Sequence, residues 1–245
     1  MRNLYNTGGT TTGFFSTVFD AYTDKRAVLV SDILLQAQMG DEWINFTVDE
    51  QKARRVIKKL RAVDKQCLYE IDRILRSNQT DKEQIAFLYI RLIVKNAKAV
   101  RQMQANADVQ RALDVVKAVG NETHRLKGFL RFNETMGGVF YAPCSPDHDI
   151  IELLMPHFIE RFQATAFIIH DVKREKAGIY NGESFLITKA GKADVVLTQT
   201  EQDFQSLWKK YYESVNIPVR KNVRQQKGYM PVRYWKFLNE MQGER

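Results

Sequence analysis

The sequence predicts an α+β protein. Three observations carry that prediction: amphipathic helical stripes through the first half, short apolar runs punctuated by Gly and Asn-Gly after residue 121, and a globular composition. Hydrophobic residues make up 44% and charged residues 27% of the 245, as in a chain with a packed core and unlike a disordered one. Short strands in neighbouring hairpins, with helices around them, predict a small antiparallel sheet in the C-terminal half and a mainly helical N-terminal half. The texture changes between 1–120, mainly helical, and 121–245, an α+β region ending in a basic helix. These regions are two domains or one integrated domain.

Residues Asn6 to Gly13 read as a polar loop, leading into Phe14, Phe15, Val18, Phe19 and Tyr22 at helical spacing. The loop's glycines and threonines either cradle a phosphate on free N–H groups or form a loose terminus with Thr12 as helix cap. The absence of a Walker-type Lys favours the second. Ala27 to Leu35 and Trp43 to Thr47 read as strands. Four apolar stripes follow: Ala53/Val56/Ile57/Leu60, Cys67/Leu68/Ile71/Leu75, Ile85/Leu88/Tyr89/Leu92/Ile93 and Val109/Ala112/Leu113/Val116. Each predicts a helix packed on a shared core. Lys52, Arg55, Lys58, Lys59 and Arg61 lie off the first stripe, as a solvated face or as phosphate contacts.

Beyond Asn121, Phe129 to Phe132 and Val139 to Ala142 read as strands joined through Met136-Gly137-Gly138. Asp147 or Asp149 is expected to cap a helix carrying Ile151, Leu154, Phe158 and Phe162, in which Pro156 predicts a kink or an early break. Ala166 to Ile169, Lys176 to Tyr180 and Ser184 to Ile187 read as further strands, with Asn181-Gly182 as a hairpin turn. A capping box at Thr200-Glu201-Gln202-Asp203 opens a helix carrying Phe204, Leu207, Trp208, Tyr211 and Val215. Pro231 opens the last helix, with Tyr234, Phe237, Leu238 and Met241 on one side.

The chain has 37 Lys+Arg against 29 Asp+Glu, a formal charge of +8, which favours polyanionic partners and nucleic acid foremost. The strongest local signal is Arg220 to Lys236, with cations at 220, 221, 224, 227, 233 and 236, no acid, and Tyr229, Tyr234 and Trp235 among them. Arg220, Lys221, Arg224, Lys227 and Arg233 are candidate phosphate contacts, and Tyr234 and Trp235 candidate stacking surfaces. The alternative is that the rings pack on the body while the charges stay in water. Arg125, Lys127 and Arg131, interleaved with Phe129 and Phe132, form a second candidate cluster at a helix–strand corner.

The catalytic candidates are His148, between Asp147 and Asp149, and His170-Asp171 at a strand end, with Arg174 close behind. His170 could accept a proton near neutral pH while Arg174 holds a phosphate; the alternative is a polar turn. Histidine and cysteine spacing carries no metal signature, so neither metal nor cofactor is expected. Cys67 and Cys144 are too few for a disulfide framework and point to a reducing, cytoplasmic location. With no signal pattern and no apolar run of membrane length, no membrane partner is expected.

The stretches GFFSTVFDAY, HRLKGFLRF, GGVFYAPCSPDHDIIELLMPHFIERF, FIIHDVKREKAGIY and LWKKYYESVNIPVRKNVRQQKGYMPVRYWKFL occur in that order from Gly13 onward. In this combination the chain resembles a bacterial family assigned to DNA metabolism or DNA repair and built on a conserved domain of unknown function. The resemblance implies a DNA partner and a place beside a radical-SAM protein that modifies or repairs DNA. Relatives are also joined to domains like uracil-DNA glycosylases. The chain has no CxxxCxxC motif and no evident glycosylase portion, so it looks like a stand-alone accessory member. The resemblance supplies no catalytic residues. The expected function is therefore nucleic-acid binding in DNA repair or modification. A nucleic-acid-processing enzyme using His170, Asp171 and the 147–149 loop, or a protein–protein adaptor, are the alternatives.

Overall fold

The computed structural model describes residues 2–31, 38–44, 47–191, 195–215, 217 and 222–241. Its chain forms two compact units, Met1–Gly120 and Asn121–Arg245. The first unit opens with a strand that the sequence reading did not anticipate. β1 (Asn3–Asn6) is the centre of a three-stranded parallel sheet, between β2 (Ala27–Val30) and β3 (Glu42–Ile44). Parallel neighbours need a crossover, and α1 (Thr11–Ala21) supplies the one from β1 to β2. Of the two strands expected in this region, residues 32–35 and 45–46 lie outside the described residues.

The loop into α1 closes on itself. Gly8 and Gly9 take φ of 64° and 66°, a left-handed region that glycine enters without strain. Their N–H groups donate to Asn6 Oδ1 at 2.8 Å and Thr7 Oγ1 at 3.4 Å. Thr10, not Thr12, caps the helix by accepting from Gly13 N at 3.0 Å. The expected helices follow as α2 (Glu50–Val63), α3 (Lys65–Arg76), α4 (Lys82–Asn96) and α5 (Ala107–Phe129). Their stripes meet α1 in one core around Phe14, Leu60, Ile71, Phe87 and Ile90, all buried. Each such side chain contributes about 1.5–3 kcal/mol.

In the second unit the α+β class holds, but the sheet is mixed and not antiparallel throughout. Its order is β4 (Asn133–Glu134), β5 (Phe140–Cys144), β6 (Phe167–Asp171), β7 (Lys176–Tyr180) and β8 (Phe185–Lys189). β5 and β6 run parallel, with Phe140 opposite Phe167 and Cys144 opposite Asp171, whereas the other pairings are antiparallel. The crossover between them is α6 (Ile151–Phe162), which continues through Pro156 without a break. Neither Asp147 nor Asp149 caps it; Asp149 instead pairs with Lys176 at 2.9 Å.

The strand expected at Phe129 to Phe132 does not form because α5 runs on, and Leu130 N still donates to Leu126 O at 3.0 Å. Phe132 joins Phe158, Phe162 and Phe167 in a ring cluster instead. Last come α7 (Gln199–Val215), capped by Thr198 through Glu201 N at 3.1 Å, and α8 (Val223–Tyr229). After Pro231 the chain makes 3-10 turns at Val232–Phe237 and Asn239–Met241 where an α-helix was expected. Tyr234, Leu238 and Met241 are nonetheless buried there.

Candidate nucleic-acid interface

The candidate cations separate into those that bind the protein's own acids and those that face water. α5 carries Glu122 into the interior of the second unit, where it is 2% exposed. Its Oε1 accepts from Asp147 N at 3.0 Å, Arg233 Nη2 at 2.7 Å and the Tyr234 hydroxyl at 2.8 Å, and its Oε2 accepts from His148 N at 2.8 Å. Burial pushes this carboxyl's pKa up, but the guanidinium and the other donors outweigh it and hold the group below its ordinary value. Arg233 also reaches Asp147 Oδ2 at 3.0 Å.

Arg174 is likewise turned inward. Its Nη1 donates to Pro146 O at 2.9 Å and Asp171 Oδ2 at 2.8 Å, and its Nη2 to Asp147 O. Asp171 is fully buried and accepts from Lys173 N at 3.0 Å and Arg174 N at 3.2 Å, which closes the turn after β6. Arg131 pairs with Glu240 at 2.5 Å, and the same carboxylate accepts from Trp208 Nε1 at 3.1 Å. Arg131, Arg233 and Tyr234 thus tie the C-terminal turns to α5 and its end, Arg174 ties the turn after β6 to the loop before α6, and the charge of the three arginines is met within the protein.

The catalytic candidates fall in different surroundings. Successive strand side chains alternate between faces, so His170 and Asp171 point to opposite sides of the sheet. Asp171 shares the α6 side with Ile169, while His170 lies on the other face with Tyr141 and Ile168. There Ala190 O lies 2.9 Å from His170 Nε2, and the Tyr141 hydroxyl lies 2.7 Å from Nδ1. A carbonyl only accepts, so Nε2 carries the proton and Nδ1 accepts from Tyr141. Both ring nitrogens are therefore engaged. The face holds an apolar cavity of about 410 Å³ that includes Val139, Tyr141, Ile168, His170 and Ile179. His148 is buried near Glu122, and burial lowers its pKa. The structure does not bring His170 together with Asp171 or Arg174.

The water-facing candidates are Arg125 and Lys127, partly exposed on the last turns of α5, and Arg224 and Lys227, exposed on α8. None of the four forms a salt bridge with an acid among the described residues. Arg220 and Lys221 lie outside the described residues. Trp235 is half-buried, its Nε1 donating to Met230 O at 3.0 Å, whereas Tyr229 is 72% exposed. Tyr229 is therefore the more available stacking ring, ahead of Tyr234 and Trp235, the two that the sequence favours.

A second surface reverses the expected packing of α7. Phe204, Leu207, Tyr211 and Val215, spaced along one helical face, are exposed. The inward face carries Glu201, Gln205 and Trp208. Glu201 accepts from Glu134 N at 3.1 Å and Gln205 Nε2 at 3.0 Å, and Gln205 donates to Asn133 Oδ1 at 2.9 Å. Hydrogen bonds to β4 select this face over the more apolar one.

Among the described residues no group of three or more His, Cys, Asp or Glu is placed to hold a metal ion, and no helix is long and apolar enough to cross a membrane. Fold and surface define an α+β protein with a water-facing basic and aromatic C-terminal segment and an exposed apolar stripe on α7. A family model described as a domain of unknown function, DUF4130, matches residues 80–240, and the chain belongs to that family. No curated protein and no solved structure matches it.

Proposed function

We propose that this protein binds nucleic acid in DNA repair or DNA modification in the cytoplasm, working beside a partner enzyme of the radical-SAM type. The observation that carries the nucleic-acid reading is α8. Arg224 and Lys227 lie one turn apart in water, two residues before the exposed Tyr229. Cations at that spacing meet phosphates of a strand, and a ring beside them stacks on a base. The pathway and the partner follow from the resemblance carried by the motifs between Gly13 and Leu238. The apolar stripe on α7 supports the partner: exposed apolar surface of this kind marks protein–protein contact.

The test is fluorescence anisotropy with a single-stranded DNA oligomer. Tyr229→Ala is expected to weaken binding by about 1–3 kcal/mol, the ordinary contribution of a stacking ring, with unfolding unchanged because the side chain is exposed. Affinity equal to that of the parent protein would remove Tyr229 from the interface.

A further inference from the structure

The first unit holds an open cavity of about 390 Å³ between α1, α2 and α4. Val56 and Ile90 are among its apolar lining; α1 contributes Phe19, Tyr22 follows directly after that helix, and α2 contributes Arg55 and Lys59. Phe19 is 36% exposed, and the Arg55 guanidinium stands 4.9 Å from its ring centroid. Arg55 and Lys59 are four residues apart, which places them on one face of the helix. Both are exposed, and neither pairs with an acid among the described residues. Among the described residues no acid lines the cavity, and nearby Asp20 is taken up by Lys52 at 2.7 Å.

We infer that this cavity binds a nucleoside monophosphate unit, with the base against Phe19 and Tyr22 and the phosphate at Arg55 and Lys59. Charge complementarity selects the anion: a phosphate monoester carries about −1.5 to −2 at neutral pH, matching two cations, where a carboxylate carries one charge. Arg55 is already held over an aromatic ring by a cation–π contact, so little of its freedom remains to be lost on binding. The volume is that of a small-ligand site of roughly 300–1,000 Å³. A flat heterocycle suits the rings and apolar floor, and the basic rim stays in water for the phosphate. A free nucleotide and the 5′-phosphorylated end of a strand present the same chemistry. The site shares no residue with α8, so it stands or falls separately from the proposed interface.

Calorimetric titration of the full chain tests it, with dAMP, a 5′-phosphorylated trinucleotide, inorganic phosphate and laurate as probes. Expected are binding of dAMP or the trinucleotide in clear preference to phosphate and laurate, and a Kd raised about tenfold or more in Arg55→Gln/Lys59→Gln, the loss of two charge-assisted contacts. Tighter binding of dAMP identifies a free nucleotide, and tighter binding of the trinucleotide a strand end. Both substituted side chains are exposed, so thermal unfolding of the double variant should match the parent and a lost signal reports binding. Failure of dAMP and trinucleotide alike to bind at millimolar concentration overturns the inference. An unchanged Kd in the double variant, or laurate binding more tightly than both, does so equally.

Discussion

One carboxylate organises the second unit. Glu122 meets Arg233 and Tyr234 across 111 and 112 positions of sequence and accepts two amides of the loop before α6. Its folded-state pKa lies below the ordinary value, so it adds stability that is present above the unfolded pKa of about 4.3 and lost as pH falls through the lower folded value. Glu122→Gln removes the charge that accepts these hydrogen bonds, and with Arg233 partly exposed and also paired to Asp147 it is expected to cost about 1.5–3 kcal/mol at pH 7 and to flatten acid unfolding; denaturant titrations at pH 7 and pH 4 check both. Tyr234→Phe removes a hydrogen bond to a charged group and should lose about 1.5–3 kcal/mol of stability while leaving nucleic-acid affinity of the folded protein intact. Reduced affinity with unchanged stability would contradict that packing role. Arg233, Tyr234, His170 and Asp171 stand out in the sequence as polar groups in suggestive places. The partners of Arg233, Tyr234 and His170 lie 20 or more positions away, so local spacing does not reveal them, whereas Asp171 closes its own turn through Lys173 and Arg174.

At the scale of elements, periodicity finds most of the structure and misses where two local rules compete. The helical stripes of α2 to α5 and the Asn181-Gly182 hairpin are legible because spacing alone specifies them. β1 is only four residues long and gains its identity from parallel neighbours on both sides, so it carries no local signature. The mixed sheet is hidden for the same reason: a βαβ crossover and a hairpin leave similar strands behind. α7 is a sharper case, since its apolar stripe is real but Glu201 and Gln205 bind β4 and turn it to water. Phe204→Ser/Leu207→Ser should therefore change stability by no more than about 0.5 kcal/mol, and should abolish co-purification of a protein partner from the host. A large drop in melting temperature would show the stripe to be core. Gly13 is a second competition. Helix propensity alone predicts that Gly→Ala stabilises by about 1 kcal/mol, but an added Cβ would lie 2.0 Å from Thr7 O. Backbone cannot yield cheaply there, so Gly13→Ala is expected to destabilise, and thermal melting gives the sign directly.

At the scale of the molecule, a net charge of +8 says little about where a polyanion would bind, because many cations are spent on internal acids. Arg131, Arg174 and Arg233 hold the second unit together, whereas Arg125, Lys127, Arg224 and Lys227 face water. The sequence offers all seven as phosphate contacts; pairing with acids divides them, since Arg233 remains partly exposed while bound to Glu122 and Asp147. The central claim is that the water-facing group binds phosphates and the inward group does not. The direct measurement is the salt dependence of DNA affinity for the parent and for Arg224→Ala/Lys227→Ala. Four phosphate contacts give a slope of log affinity against log salt of about −3 to −4, and the double variant should flatten it by about 1.5–2 without altering unfolding. A slope and affinity unchanged in the double variant would contradict the account.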